Sequence, residues 1–194
     1  MADTVRIKKT FFQFMAEMFL IVFSVFLGLY LSDWLAERKE EEKTLNALKS
    51  ISEEVNRNKK FLEERVNYYR ELVSELDSLG ISDEKPDVKQ PLKNWKGLRP
   101  PLLKDAAFQT AVSAQVLARL DFKTAEQISL IYSFQSLYMR GIHTIMDNFF
   151  DMKVDTKLKV KTYMKELSGM GSELVKSYDG LSVKLDSVIN SRKK

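Results

Sequence analysis

The chain has 194 residues, with 31 Lys and Arg against 27 Asp and Glu, a net charge of +4 and no cysteine. Acidic and basic residues are interleaved, which is typical of a solvated protein surface and excludes the concentrated positive charge of a nucleic-acid-binding protein. The lack of cysteine excludes thiol catalysis and thiolate metal sites, and it fits a periplasmic domain without disulfides as well as a cytosolic domain.

The most apolar part of the chain lies close to its N-terminus. Residues 11–31 read FFQFMAEMFLIVFSVFLGLYL. A helix of this length rises about 30 Å, which is enough to cross the hydrocarbon core of a bilayer. Tyr30 and Trp34 lie at its far end, where amphipathic rings favour the membrane–water interface. We therefore predict a short N-terminal segment (1–10), a transmembrane helix (11–31), and interface anchors at Tyr30 and Trp34.

The length of the apolar stretch leaves alternatives to a span. The uninterrupted apolar run, residues 18–31, has fourteen residues, a length shared by spanning helices, signal-peptide cores and buried helices. Residues 32–35 (SDWL) are a poor small-x-small cleavage site, which favours a retained anchor over a cleaved leader.

The orientation of the span depends on its flanks, and both carry bases. These are Arg6, Lys8 and Lys9 before the span, and Arg38, Lys39 and Lys43 after it. The first flank is short, and acidic residues accompany the bases of the second. We therefore predict a cytoplasmic N-terminus, with the remaining residues on the far side of the membrane.

Five polar or small residues are predicted on one face of the span, at 100° per residue. They are Gln13, Glu17, Ser24, Gly28 and Ser32. Small residues spaced by four allow two helix backbones to approach closely. A carboxylate in a bilayer costs roughly 3 kcal/mol on insertion scales, so Glu17 requires a partner, a proton or nearby water. Three hypotheses stay open for Glu17: solvation near the cytoplasmic face, association with another span, and a proton or ion site.

The rest of the chain reads as one helical domain. Residues 32–44 are highly charged and predict a solvated helical neck, and residues 45–194 predict the domain. From Leu48 the apolar positions follow a heptad pattern: Leu48, Ile51, Val55, Leu62, Tyr69, Leu72, Leu76 and Leu79. Asn58 and Arg65 interrupt this pattern. All four prolines fall between Pro86 and Pro101, so a Pro-rich loop is predicted at 80–101.

Three further helical patterns follow the loop. The first covers residues 105–117, and the second opens with Thr124-x-x-Gln127, which predicts a capping box. The last is the most regular, with apolar residues stepping by three and four: Val160, Met164, Leu167, Gly171, Leu174, Tyr178, Leu181, Leu185 and Val188. No segment alternates with period two. We predict an all-α protein, a transmembrane helix followed by an antiparallel bundle of about four helices.

The sequence offers no constellation of catalytic residues. The single histidine, His143, has Asp147 four residues later, but two ligands do not make a zinc site. No glycine-rich phosphate loop occurs. We predict no catalytic residues, no metal and no cofactor, and therefore no enzymatic activity.

Two segments carry a family resemblance. Residues 32–39 (SDWLAERK) resemble the exit that follows the span in a family of uncharacterised single-span bacterial membrane proteins with a helical extramembrane domain. Residues 106–111 (AAFQTA), 117–120 (LARL) and 130–132 (LIY) are similar to that family's second landmark. Aspartate and leucine flank Trp34 where asparagines are common. The resemblance implies a Gram-negative inner-membrane protein and no particular activity.

Together these features predict a non-enzymatic bitopic protein of the bacterial inner membrane, with a periplasmic helical domain. It would act as a scaffold or accessory subunit of a membrane complex. The expected partners are membrane lipid and other membrane-protein subunits, or a second copy through the span, but not nucleic acid. Two alternatives remain: a small-ligand-sensing bundle that signals through a partner, and a proton-coupled subunit that uses Glu17.

Overall fold

The computed structural model describes the backbone of residues 2–87 and 89–192, and the side chains of these residues from Gln13 onward. The predicted side-chain features of Arg6, Lys8, Lys9, Phe11 and Phe12 therefore lie outside the described part. The described chain contains no β-strand and four α-helices: α1 (Ala2–Ser78), α2 (Ala106–Ser113), α3 (Phe122–Phe150) and α4 (Lys157–Arg192). The all-α prediction is confirmed. The chain divides into two compact units, Met1–Thr44 and Leu45–Lys194.

The first unit is the N-terminal part of α1. Its apolar side chains from Phe14 to Leu35 are exposed. Among the described residues, α1 is the one helix long and apolar enough to cross a membrane, and none of its apolar window is buried. A core helix of a soluble protein would be buried, so the exposure distinguishes α1 from that alternative.

The second unit is a helical bundle whose core contains the predicted heptad positions. Seven of them have no exposed surface: Leu48, Ile51, Val55, Leu62, Tyr69, Leu72 and Leu76. On α4 the regular apolar stripe is buried in the same way, including Met164, Leu174, Tyr178, Leu181 and Leu185. Both helices therefore bury the faces that their sequence patterns predict.

Helix α4 packs antiparallel to α1. Residues late in α1 contact residues early in α4, in three polar pairs: Asp77 with Lys161 at 2.6 Å, Arg70 with Ser172 at 2.7 Å, and Asn56 with Ser182 at 3.0 Å. Gly171 allows the two helices to approach, because a Cβ at this position would lie 2.6 Å from Val66 Cγ2. No side chain larger than hydrogen fits at that distance.

Helix α3 runs parallel to α1 and antiparallel to α4. Glu54 and Asn58 of α1 bond Tyr132 and Gln135 of α3 in the same chain order. Toward α4 the order is reversed, because Tyr138 Oη donates to the Leu167 carbonyl and Asn148 Nδ2 donates to Tyr163 Oη. A parallel neighbour to α1 requires a connection that returns along the length of the bundle.

That connection is residues 79–105, here called the strap. Helix α1 ends in a Schellman motif, in which Gly80 has a φ of 67° and Ile81 N–H donates to the Leu76 carbonyl. The strap then runs back along α1 toward the N-terminal end of the bundle, and side chains of α1 bond its backbone. Glu75 accepts from Lys93 N–H and Asn94 N–H.

Two tyrosines of α1 continue this attachment. Tyr68 Oη donates to the Gly97 carbonyl at 2.7 Å and accepts from Lys96 N–H at 2.9 Å. Tyr69 Oη donates to the Arg99 carbonyl at 3.1 Å. The predicted Pro-rich loop is therefore an ordered segment whose backbone is paired with α1 side chains.

The start of α3 differs from the sequence prediction. The N-cap is Asp121, whose carboxylate accepts from Thr124 N–H at 3.0 Å. Thr124 is buried and its hydroxyl makes no hydrogen bond. The predicted capping box at Thr124-x-x-Gln127 is wrong because the helix begins earlier, at Phe122. The preceding helix is also shorter than predicted, because α2 ends at Ser113 and Gln115 takes a left-handed conformation.

Burial of the α4 stripe predicts a large effect of a charge in its middle. Leu174 is fully buried, so Leu174→Asp places a carboxylate in the core and lowers the free energy of unfolding by roughly 4 kcal/mol. The matched control is Val183→Asp on the same helix, where the side chain is 72% exposed. Denaturant unfolding of the full chain can be followed by the fluorescence of Trp95 in a Trp34→Phe background. Equal destabilisation by the two variants would contradict the packing of α4.

Candidate functional site

The five predicted face residues of the span all lie on the exposed part of α1. Gln13, Glu17, Ser24, Gly28 and Ser32 are exposed. Ser24 Oγ donates to the Leu20 carbonyl of its own helix at 2.7 Å, so its hydroxyl proton is already engaged. A Cβ at Gly28 would meet nothing within 4 Å. This face is open to a second helix backbone, and its pairing remains a prediction.

The two predicted interface anchors follow on the same helix. Tyr30 is exposed, and Trp34 is partly covered by Arg38, whose guanidinium carbon lies 4.4 Å from the indole centroid. A cation over an aromatic face is a favourable electrostatic contact. A tryptophan beside a basic residue is also typical of the end of a membrane span, where the ring and the charge both reach the headgroup region.

A cluster of buried polar side chains lies inside the bundle, and the sequence patterns do not predict it. Glu54 is 3% exposed and carries a carboxylate on α1. It accepts hydrogen bonds from Ala107 N–H at 2.9 Å, from Phe108 N–H at 3.4 Å and from Tyr132 Oη at 2.8 Å. The two N–H groups belong to the first turn of α2, whose N-cap Asp105 makes no side-chain cap bond. Glu54 therefore caps α2 from another helix.

The second half of the cluster is centred on Asn58. Its side-chain amide bonds both backbone groups of Lys104: Nδ2 donates to the carbonyl at 2.6 Å, and Oδ1 accepts from N–H at 2.9 Å. Gln135 Nε2 donates to the same carbonyl at 3.0 Å, and its Oε1 accepts from Tyr178 Oη at 2.5 Å. The cluster thus joins α1, the strap, α3 and α4.

The tyrosines of the cluster act as permanent donors. Burial raises the pKa of Tyr132 far above its usual value, and the hydrogen bond to Glu54 raises this pKa further. Burial likewise raises the pKa of Tyr178. Both hydroxyls remain protonated through the physiological range. The cluster is therefore a set of hydrogen bonds that holds the strap and α2 in place.

A surface groove lies beside this cluster, between α1 and the end of the strap. It encloses about 510 Å³ and is lined by Arg57, Asn58, Lys60, Phe61, Glu64, Leu102 and Lys104. Three of these seven side chains are cationic and two are apolar. Asn58 and Lys104 belong both to the groove and to the buried cluster, so the groove wall is fixed by the same hydrogen bonds.

The remaining sequence candidates are dispersed. His143 is exposed on α3, and within residues 13–87 and 89–192 no three His, Asp or Glu side chains converge as metal ligands would. Of the α3 aromatics, Tyr138 is fully buried whereas Phe150 is 74% exposed.

Together, the fold and its surfaces define an all-helical protein with one exposed apolar helix and a bundle rigidified by buried polar contacts. Comparisons with protein-family models, with curated proteins and with solved structures found no match.

Because Glu54 caps α2, we expect the stability of the protein to depend on the carboxylate of Glu54. In Glu54→Gln an amide NH₂ replaces one acceptor and faces backbone donors, so the free energy of unfolding falls by about 2 kcal/mol. Glu53→Gln removes the neighbouring carboxylate, which is exposed, and is expected to leave stability unchanged. Unfolding by denaturant and hydrogen exchange at the α2 amides measure the two effects. Unchanged protection of α2 in Glu54→Gln would show that the cap is dispensable.

Proposed function

We propose that this chain is a single-span membrane protein, anchored by residues 11–31, whose bundle serves as a non-enzymatic scaffold or accessory subunit of a membrane complex. The observation that carries the proposal is the exposure of the apolar stretch of α1. Thirteen large aliphatic, methionine and phenylalanine side chains between Phe14 and Leu31 are at least 45% exposed. Water is an unfavourable environment for such a surface.

The free energies of transfer favour a lipid bilayer as the environment of this apolar surface. Each large apolar side chain removed from water contributes about 2 kcal/mol. Inserting the carboxylate of Glu17 costs roughly 3 kcal/mol, and less near the membrane face. The apolar gain therefore exceeds the polar cost several-fold.

The bundle supports a role in binding rather than in chemistry. The buried polar groups of the cluster around Glu54 and Asn58 are engaged with one another and with the backbone. Its surface instead carries apolar residues, of which Leu130 and Leu137 are exposed and lie seven residues apart on one face of α3. Exposed apolar residues that share a helix face are typical of protein contacts.

The proposed location is a bacterial inner membrane, with the N-terminus in the cytoplasm and the bundle in the periplasm. The basic residues of the first flank and the family resemblance of residues 32–39 support it.

The anchor and its orientation can be tested together. A reporter that works only in the periplasm, fused after Lys194, should be active. The fusion protein should also stay in membranes after a carbonate wash. Leu20→Arg with Phe23→Arg should reduce the share of the protein that stays in membranes, because each change removes an apolar side chain and each arginine costs about 3 kcal/mol at the span centre. Leu130→Arg with Leu137→Arg adds the same charge to the bundle surface and should leave the protein in the membrane. A mature N-terminus near Ser32 would mean a secreted domain, and an active cytoplasmic reporter would reverse the orientation.

If the span pairs with another helix, substitutions at Gly28 and Glu17 should have different effects on assembly. Gly28→Ile places a branched side chain between backbones that approach closely, and should abolish recovery of the partner subunit in mild detergent. Glu17→Gln keeps the shape and hydrogen-bonding capacity, and should preserve assembly. Ala16→Ile is the matched control, since it enlarges a small residue about 120° from Gly28 on the helix.

The proton-coupled alternative predicts another result for these variants. An assembled but inactive Glu17→Gln complex would favour proton coupling. If neither Gly28→Ile nor Glu17→Gln changes assembly or the phenotype of the strain, the span is an anchor alone.

A further inference from the structure

We propose that the groove beside Asn58 binds a small organic anion, in which a carboxylate, phosphate or sulfonate head is joined to an aromatic or short aliphatic body. The proposal extends beyond anchoring and assembly and is independent of them. The groove encloses about 510 Å³, which lies within the range of roughly 300–1,000 Å³ found for small-molecule sites.

The charge of the groove selects an anion. Arg57, Lys60 and Lys104 line it together with a single acid, Glu64. Lys60 and Lys104 make no ion pair with any residue of the described chain, and Arg57 has only a 3.5 Å contact with the exposed Glu53. Two unpaired ammonium groups beside a low-dielectric wall concentrate positive potential, which favours a negatively charged head.

The sequence around the groove strengthens this charge. Between Asp87 and Asp105 the strap carries five basic residues and no acid: Lys89, Lys93, Lys96, Arg99 and Lys104. Strap residues 88–104 therefore add no negative charge at the mouth of the groove.

The apolar residues of the groove select the body of the ligand. Leu102 is 71% exposed and Phe61 is 38% exposed, so both have surface that a hydrocarbon or aromatic group can cover. The Arg65 guanidinium carbon lies 5.2 Å from the Phe61 ring centroid, and its buried Nε has no hydrogen-bond partner. A cation held beside this ring adds to the positive potential at the apolar end.

Hydrogen bonds hold one wall of the groove in place before any ligand binds. The two hydrogen bonds between Asn58 and the Lys104 backbone fix the strap against α1. Leu102 lies two residues away in the same strap, beside the buried Pro101. A ligand therefore meets a preorganised wall and loses little affinity to ordering of the protein. The volume is too small for a two-chain lipid, so we commit to a free small molecule rather than a membrane lipid.

The experiment uses the full chain in nanodiscs of zwitterionic phosphatidylcholine, with empty nanodiscs as background. Isothermal titration with 4-phenylbutanoate should show saturable one-to-one binding. The neutral isostere 4-phenylbutan-1-ol, which keeps the body, and inorganic phosphate, which keeps a head, should each bind at least about tenfold more weakly.

Variants locate the site. Lys60→Met with Lys104→Met keeps unbranched side chains that are each one atom shorter, removes both unpaired charges and should weaken 4-phenylbutanoate binding about tenfold or more. Leu102→Ser should weaken the same binding a fewfold while leaving that of phosphate unchanged. Lys123→Met with Lys165→Met, which removes two exposed charges on α3 and α4, should change nothing.

Several results would overturn the proposal. Absence of saturable binding at millimolar probe, or unchanged affinity in the Lys60→Met and Lys104→Met variant, would remove the site. Equal binding of phosphate would reduce it to an inorganic-anion site. Nanodiscs containing phosphatidylglycerol could abolish probe binding while the bundle associates more tightly with this anionic lipid. That result would mean that the basic residues of the groove bind the membrane surface instead.

Discussion

The structure of the bundle depends on hydrogen bonds that α1 side chains make to a backbone with no secondary structure of its own. The strap contains all four prolines of the chain, which lack N–H donors. Its described residues, 79–87 and 89–105, form neither helix nor strand. A backbone packed along a helix must still satisfy its polar groups. Glu75, Tyr68, Tyr69 and Asn58 supply partners in turn, at intervals that keep the strap on one face of α1.

This attachment decides the topology. Because the strap returns to the level of Asn58 before α2 begins, α3 starts at the N-terminal end of the bundle and runs parallel to α1. Helix α4 then completes the core as the antiparallel neighbour of both. Glu54 determines where α2 sits, and Gln135 with Tyr178 connects the same hydrogen bonds to α3 and α4. Loss of one buried partner would leave others unsatisfied, so the contacts stabilise as a group.

The sequence predicts which apolar residues form the core, but it predicts few of the buried polar contacts. Heptad positions such as Leu62 and Leu72 are buried as expected, because periodic burial needs only a helix and a core. Asn58 is visible in the sequence only as an interruption of the heptad, since its partner is a backbone group 46 residues away. Glu54 resembles any surface acid of a charged helix.

Sequence rules for helix starts can also fail when two nearby residues are both suitable caps. Thr124 is a residue type that often caps helices. Asp121, three residues earlier, provides a carboxylate that caps the helix instead, so the helix starts directly after Asp121. The polar face of the span, from Gln13 to Ser32, remains a sequence prediction, because a single exposed helix contains nothing that selects its partner.

The topology sets an order of assembly during synthesis. Contacts within the α3–α4 hairpin join residues 15 and 29 positions apart, whereas those between α1 and α4 join residues 102 and 126 apart. Short loops close first, so the hairpin forms before α4 packs against α1. At about 5–20 residues per second, the ribosome needs several seconds between α1 and α4. The side of α1 that packs against α4 therefore emerges early and stays exposed until the last helix has been synthesised.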